Sequence, residues 1–157
     1  KVFRSADEAL ENCEGKIDTI VSTGVIEHVE NPLKYLIDAY KLLKAKGKMY
    51  IETDNINDIL FYMNDPELNK FFYRTVHLWY FEGSTLQKIS EKAGFKNVKV
   101  SHRHNFDLSN LLIWLKDKAP SGTGKLKVFD DRVNNAWKSF LEDSGQSDLV
   151  CVTMSKD

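Results

Sequence analysis

The spacing of apolar and polar positions separates strands from helices along this chain. From Ile17 to Ser22 a short β-branched run, with Ile17, Ile20 and Val21 around Asp18 and Thr19, lies between Gly15 and Gly24. It is too short for a helix and predicts a buried strand. Asn31 then reads as a cap and Pro32 as a first helical residue, since proline's fixed φ suits a turn whose N–H has no partner. Leu33, Leu36, Ile37, Tyr40 and Leu43 recur at helical spacing, and Gly47 is expected to stop that helix in a left-handed conformation. Lys48 to Thr53 predicts the next strand. Strand, helix and strand in that order form a βαβ unit, whose right-handed crossover makes the two strands parallel. The fold class is therefore α/β.

The stretch from Asp54 to Gly83 is too aromatic and too broken by Asn-Asp and Asp-Pro pairs for one plain helix. Ser84 to Gln87 has the pattern of a capping box, Leu86, Ile89 and Ala93 supply a buried stripe, and Gly94 ends that helix. Val98, Val100 and His102 alternate as a third strand. Leu108, Leu111, Leu112 and Leu115 predict one amphipathic helix, and Val133, Ala136, Trp137, Phe140 and Leu141 another, with a loop from Pro120 to Gly124 between them. Leu149 to Met154 reads as a last strand.

Composition narrows the classes. With 157 residues, 42% apolar, and 22 basic against 23 acidic side chains, this is one ordinary domain with a net charge of −1. Balanced charge gives no broad field for nucleic acid, and no apolar run approaches the roughly 20 residues that cross a bilayer. Neither partner is expected. Cys13 and Cys151 suggest reduced thiols in a cytoplasmic protein. The chain opens at Lys1 without an initiator Met or a leader, which predicts a cut start.

Ligands of open parallel sheets bind beyond the carboxyl ends of the strands. One such end carries Ser22-Thr23-Gly24-Val25-Ile26-Glu27-His28-Val29, where small residues would let a flat ligand approach the main chain. The other carries Thr53-Asp54-Asn55. These residues have a counterpart. Asp18 to Pro32, then Leu42-Leu43-Lys44-Ala45-Lys46-Gly47-Lys48, then Ile51-Glu52-Thr53-Asp54-Asn55 resembles the class I S-adenosylmethionine-dependent methyltransferases, in the branch of the ubiquinone-biosynthesis O-methyltransferases. His77-Leu78-Trp79-Tyr80-Phe81 and Ala93-Gly94-Phe95 are similar to that family in the same order. Leu108-Ser109-Asn110, Trp114-Leu115 and Ser147-Asp148-Leu149 resemble methyltransferases found among surface-polysaccharide genes.

The resemblance implies a Rossmann-like half-sheet, strands 4-5-7-6 of the family order, with flanking helices and an antiparallel C-terminal strand. Residues 1–157 would form a partial methyltransferase domain, without the Gly-rich loop and the early strands. It implies S-adenosylmethionine as cofactor and methyl transfer to a small-molecule or glycan hydroxyl. Lys1 to Leu10, with Val2-Phe3-Arg4-Ser5-Ala6-Asp7-Glu8, would be the family's third strand and the loop that reaches the adenine, placing Ser5, Ala6 and Asp7 at adenine contacts. Ser22, Thr23, Gly24 and Glu27 would line the cofactor pocket. Asp54, Asn55 and Tyr80 would contact the acceptor, and His28 and His77 are candidate bases. No metal is expected, because Gly24 stands where metal-using relatives carry the first Glu of a Glu-x-x-Glu-His cluster.

An unpaired edge on the first strand predicts weak stability or a homodimer through that edge. Other patterns are weaker. His102 and His104 share a strand face but lack a third ligand. Ser121 to Lys125 fails the phosphate-loop template, with Ala119 for its leading Gly and Leu126 for its Ser or Thr. The aromatics from Phe61 to Phe81 suit an acceptor lid or simple packing. Two other classes stay open: an inactive binding or scaffold subunit, and a nicotinamide-dependent oxidoreductase fragment.

Overall fold

Strand β1 (Ile17–Thr23) and strand β2 (Leu43–Asp54) run parallel, with Ile20 opposite Met49 and Ser22 opposite Ile51, and helix α2 (Pro32–Leu42) crosses between them. The computed structural model describes residues 2–123 and 126–157. Lys1, and Gly124 and Lys125 of the loop that fails the phosphate template, lie outside the described residues. The Asn31 side chain accepts the Lys34 amide and so caps α2 behind Pro32, as the residue pattern requires.

Strand β4 (Leu149–Ser155) lies antiparallel to both β2 and β3 (Lys96–Arg103), giving the order β1-β2-β4-β3. This is the expected half-sheet. On one face, α2 and α4 (Gly83–Lys92) bury Leu36, Met49, Ile51, Leu86, Phe95 and Val152, each at most 1% exposed. Each such side chain contributes roughly 1.5–3 kcal/mol of hydrophobic stabilisation. Helix α6 (Asp131–Ser144) packs on β3. A second, smaller core joins Leu60 and Leu68 to Trp114. They come from a 3-10 turn (Ile59–Met63), helix α3 (Pro66–Phe72) and helix α5 (Leu108–Asp117), so the aromatic stretch is indeed broken into short pieces.

Local expectations fail at three places, and two helices form where expected but turn part of their apolar stripe outward. Gly47 is not the helix stop: α2 ends at Leu42 and the positive φ falls on Lys46, at 63°. Gly47 is required for space, since a Cβ there would lie 2.8 Å from the Lys44 carbonyl oxygen. The capping box does not form, because α4 starts after Glu82, whose carboxylate accepts from the Ser84 and Thr85 hydroxyls, while Gln87 reaches forward to Glu91. Val2 and Phe3 form no strand; Ser5 instead caps helix α1 (Ala6–Cys13) by accepting the Glu8 amide. Helix α5 buries Ser109, Asn110 and Trp114, leaving Leu115 half exposed. Helix α6 buries Leu141 but leaves Val133 and Phe140 exposed.

Among the described residues no strand covers the outer side of β1, where Val21 is 66% exposed. No helix there is long and apolar enough to cross a membrane, and Cys13 and Cys151 are both free.

Candidate active site

Parallel strands deliver their loops to one edge of the sheet, and the loops after β1 and β2 meet there. Gly24, at φ 62°, turns the chain out of β1 while its amide still bonds to the Glu52 carbonyl at 3.0 Å. Glu27 follows, only 4% exposed. Its Oε2 accepts a 2.7 Å hydrogen bond from the Thr53 hydroxyl at the end of β2. Its backbone carbonyl accepts the amides of Leu78 and Trp79, and the Trp79 indole N–H donates to the Val29 carbonyl at 2.9 Å. The segment 76–79 is thereby closed over the loop after β1.

Two imidazoles meet under that closure. His28 Nδ1 lies 2.7 Å from the Val76 carbonyl oxygen. A carbonyl can only accept, so Nδ1 carries a proton, and in the neutral ring Nε2 is the atom that holds the lone pair, 3.9 Å from Glu27 Oε1. The His77 ring stands edge-on to His28, with centroids 4.8 Å apart. His77 Nδ1 is buried without a hydrogen-bond partner; it lies 3.5 Å from Asp54 Oδ2, near enough for attraction but not aligned for a hydrogen bond. Glu27, His28 and His77 each offer one ligand atom, all within 4.8 Å of one another. Three donors is the number catalytic metal sites use. The further carboxylate of the metal-using pattern is absent at Gly24.

Asp54 belongs both to this cluster and to a cavity of about 290 Å³ beside it. Asp58 and Asp148 add carboxylates to the cavity wall, and Phe71, Phe72 and Trp114 add rings. Burial, with the neighbouring Asp148 and Asp54 charges, outweighs the Leu60 amide bond and pushes the Asp58 carboxyl up to about 6. Burial also raises Asp54, against the attraction of His77. Asp148 is held in place by Asn105, whose amide and side-chain nitrogen donate to its two oxygens at 2.9 Å each.

The remaining candidates fall in different places. Thr23 and Gly24 are exposed at the rim, whereas Ser22 is buried and its hydroxyl accepts from Tyr35 at 2.8 Å, pinning β1 to α2. Ser5, Ala6 and Asp7 open α1, which packs on α2. Asp38 chiefly, with a smaller contribution from Asp7, raises the Lys34 ammonium in the first turn of α2. Asn55 is fully buried and structural: its side-chain nitrogen donates to the Gly145 and Ser147 carbonyls, 2.9 Å each, fixing the approach to β4. The Tyr80 hydroxyl is engaged by the Phe72 carbonyl and the Arg74 amide. His104 Nδ1 accepts the Asp148 amide at 3.1 Å, which removes it from any pairing with His102 on a metal.

A βαβ entry, an antiparallel last strand and a site at the carboxyl edge define a Rossmann-like α/β protein. The chain belongs to the methyltransferase domain family, whose model matches residues 2–100. It is similar in structure to an S-adenosylmethionine-dependent methyltransferase from Thermotoga maritima, with 19% identity and a TM-score of 0.60 over 92% of this chain and 58% of that one. A second such enzyme, from Archaeoglobus fulgidus, shares 17% identity and a TM-score of 0.61 over 99% of this chain and 66% of that one. A Haemonchus contortus phosphoethanolamine N-methyltransferase 2, solved with phosphomonomethylethanolamine and S-adenosylhomocysteine, gives 15% identity and a TM-score of 0.52 over 94% of this chain and 36% of that one. The chain thus spans less than two thirds of these structures, and the likeness concerns the fold. Among curated proteins none matches the chain.

Proposed function

We propose that this chain forms the acceptor-side part of an S-adenosylmethionine-dependent methyltransferase acting on a small molecule. The observation that carries the reading is the junction of the loop after β1 with the end of β2 beside a cavity of about 290 Å³, in a chain of the methyltransferase domain family.

The residues fit a bulky nucleoside cofactor. At Gly24 an added Cβ would meet only Glu27 Oε1, at 3.5 Å, so the main chain there is open to close approach. Thr23, Gly24 and Glu27 would hold the cofactor, with Ser5, Ala6 and Asp7 toward its adenine. When bound, S-adenosylmethionine supplies an electrophilic methyl on a sulfonium. The chain's own part is to align the acceptor and take its proton. His28 suits the second task, because the Val76 bond leaves its Nε2 lone pair free. His77, packed against it, positions the ring and links it to Asp54.

Calorimetric titration with S-adenosylhomocysteine tests the reading, and transfer of a labelled methyl group from the donor to an added acceptor tests turnover. Saturable heat that weakens tenfold or more in Gly24→Val supports it. No heat at millimolar ligand would favour an inactive scaffold, and heat with a nicotinamide dinucleotide instead would favour an oxidoreductase fragment.

A further inference from the structure

The cavity beside Asp54 has an unbalanced wall. Three carboxylates, Asp54, Asp58 and Asp148, face it with one guanidinium, Arg74. Asp148 is satisfied by Asn105 and lies 3.1 Å from His104 Nδ1. Arg74 rests over the Phe71 ring, 5.2 Å from its centroid, with no carboxylate paired to it among the described residues. Asp58 is different. It is 2% exposed, its Oδ1 accepts the Leu60 amide at 2.9 Å, and among the described residues Oδ2 has no hydrogen-bond partner. A buried carboxylate with a free oxygen on a cavity wall is costly unless something cationic meets it. The opposite wall is aromatic, from Phe71, Phe72 and Trp114, and Phe71 already accepts a cation on its face in the Arg74 contact.

We propose that this cavity is the acceptor site and selects a small organic amine, bound as its ammonium ion against Asp58 with its carbon skeleton on the Phe71, Phe72 and Trp114 rings. The inference rests on the methyltransferase reading above and narrows it from the hydroxyl acceptor that the motif resemblance implies. A neutral alcohol can hydrogen-bond to Asp58 but cannot neutralise it, nor does it gain from the ring faces as a cation does. The volume, about 290 Å³, suits a compact amine. Asp54 lines the cavity and lies 3.5 Å from His77, so it joins the cavity to the imidazole pair. The bound ammonium would have to give a proton to a base, the role His28 would take, before its nitrogen lone pair can take the methyl group from the sulfonium.

The test is a competition between charge states on the same frame. Phenethylamine and 2-phenylethanol are titrated separately into the unmodified chain by calorimetry or ligand-observed NMR, without cofactor. Phenethylamine is expected to bind at least tenfold more tightly. Asp58→Asn should erase that preference in a chain whose circular dichroism is unchanged. Phe71→Leu, at a ring 40% exposed and outside both cores, should weaken the amine at least threefold and leave the fold intact. Equal or tighter binding of the alcohol overturns the proposal, as does an undiminished preference in folded Asp58→Asn. Amine preference without any heat from S-adenosylhomocysteine would sink the methyltransferase reading and leave the amine site standing; the reverse pattern would do the opposite.

Discussion

The Thr53 hydroxyl holds the buried Glu27 carboxylate at 2.7 Å, a side-chain bond that joins the end of β2 to the loop after β1 beside the backbone bond from Gly24 to Glu52. Thr53 and Glu27 are both at most 4% exposed. Thr53→Val keeps the shape and removes the donor, leaving Oε2 in the interior without it. That should cost about 1–3 kcal/mol in urea unfolding, whereas Thr53→Ser should cost under about 1 kcal/mol. A fully stable valine variant would mean that water reaches Glu27 and that the closure by residues 76–79 is not tight.

Gly83 sets how closely α4 lies on the sheet. A Cβ there would fall 2.6 Å from Val100 Cγ1 and 3.6 Å from Val150 Cγ2, so Gly83→Ala must push α4 away from β3 and β4. Overpacking of this kind costs about 1–3 kcal/mol, which outweighs the gain of at most about 1 kcal/mol that alanine brings as a helix former. Pairing Gly83→Ala with Val100→Ala should recover part of the loss, since the clash is with that side chain. A thermal melt of the three variants checks both statements.

Strand β1 carries a free edge with Val21 exposed on one of its faces. Unpaired amides and carbonyls on an apolar strand invite a second chain. Sedimentation velocity should show self-association that grows with concentration, and Val21→Lys should reduce it at least several-fold while leaving the melting temperature within a few degrees. A concentration-independent monomer in the unmodified chain would remove the edge from consideration as an interface.

How much of this was legible in the residues follows from what sets each feature. The Asn31-Pro32 helix start and the parallel βαβ unit depend on local pattern and chain chirality, and both are found as read. Strand β1 forms where expected but is not the buried strand its β-branched run suggested, since only Ser22 is buried and Val21 is exposed on the uncovered side. Gly47 and the Ser84 pattern misled because a glycine can be selected for space as well as for φ, and because Glu82 competes for the same hydroxyls. The rim residues were within reach, since small residues at a strand end announce themselves. The cavity was not. Asp58 looked like one of several turn formers, and its burial depends on Trp114, Phe71 and Asp148, far away in sequence. Likewise, Asn55 looked like a ligand contact, and only the distant Gly145 and Ser147 carbonyls reveal it as a staple.

Asp58 should also leave a signature in the pH dependence of stability. Its folded value, about 6, stands above the unfolded 3.8, so between these values the folded chain holds a proton that the unfolded chain releases. The stabilisation is complete below about pH 4 and is lost as pH rises through 6, with a total of about 3 kcal/mol for a shift of this size. Asp58→Asn, which keeps an acceptor for the Leu60 amide, removes that loss. The variant should match the unmodified chain at pH 4 and exceed it by up to about 3 kcal/mol at pH 8 in urea unfolding. Asp54 is raised in the same direction, and because its charge is one of those raising Asp58, the substitution also relieves Asp54 and adds to the difference in the same sense. A variant that is less stable at pH 8 would show that the Asp58 carboxylate is already neutralised by a partner within the fold, which would leave an incoming ammonium nothing to compensate. Greater stability with weaker amine binding is the trade expected of a side chain retained for its ligand.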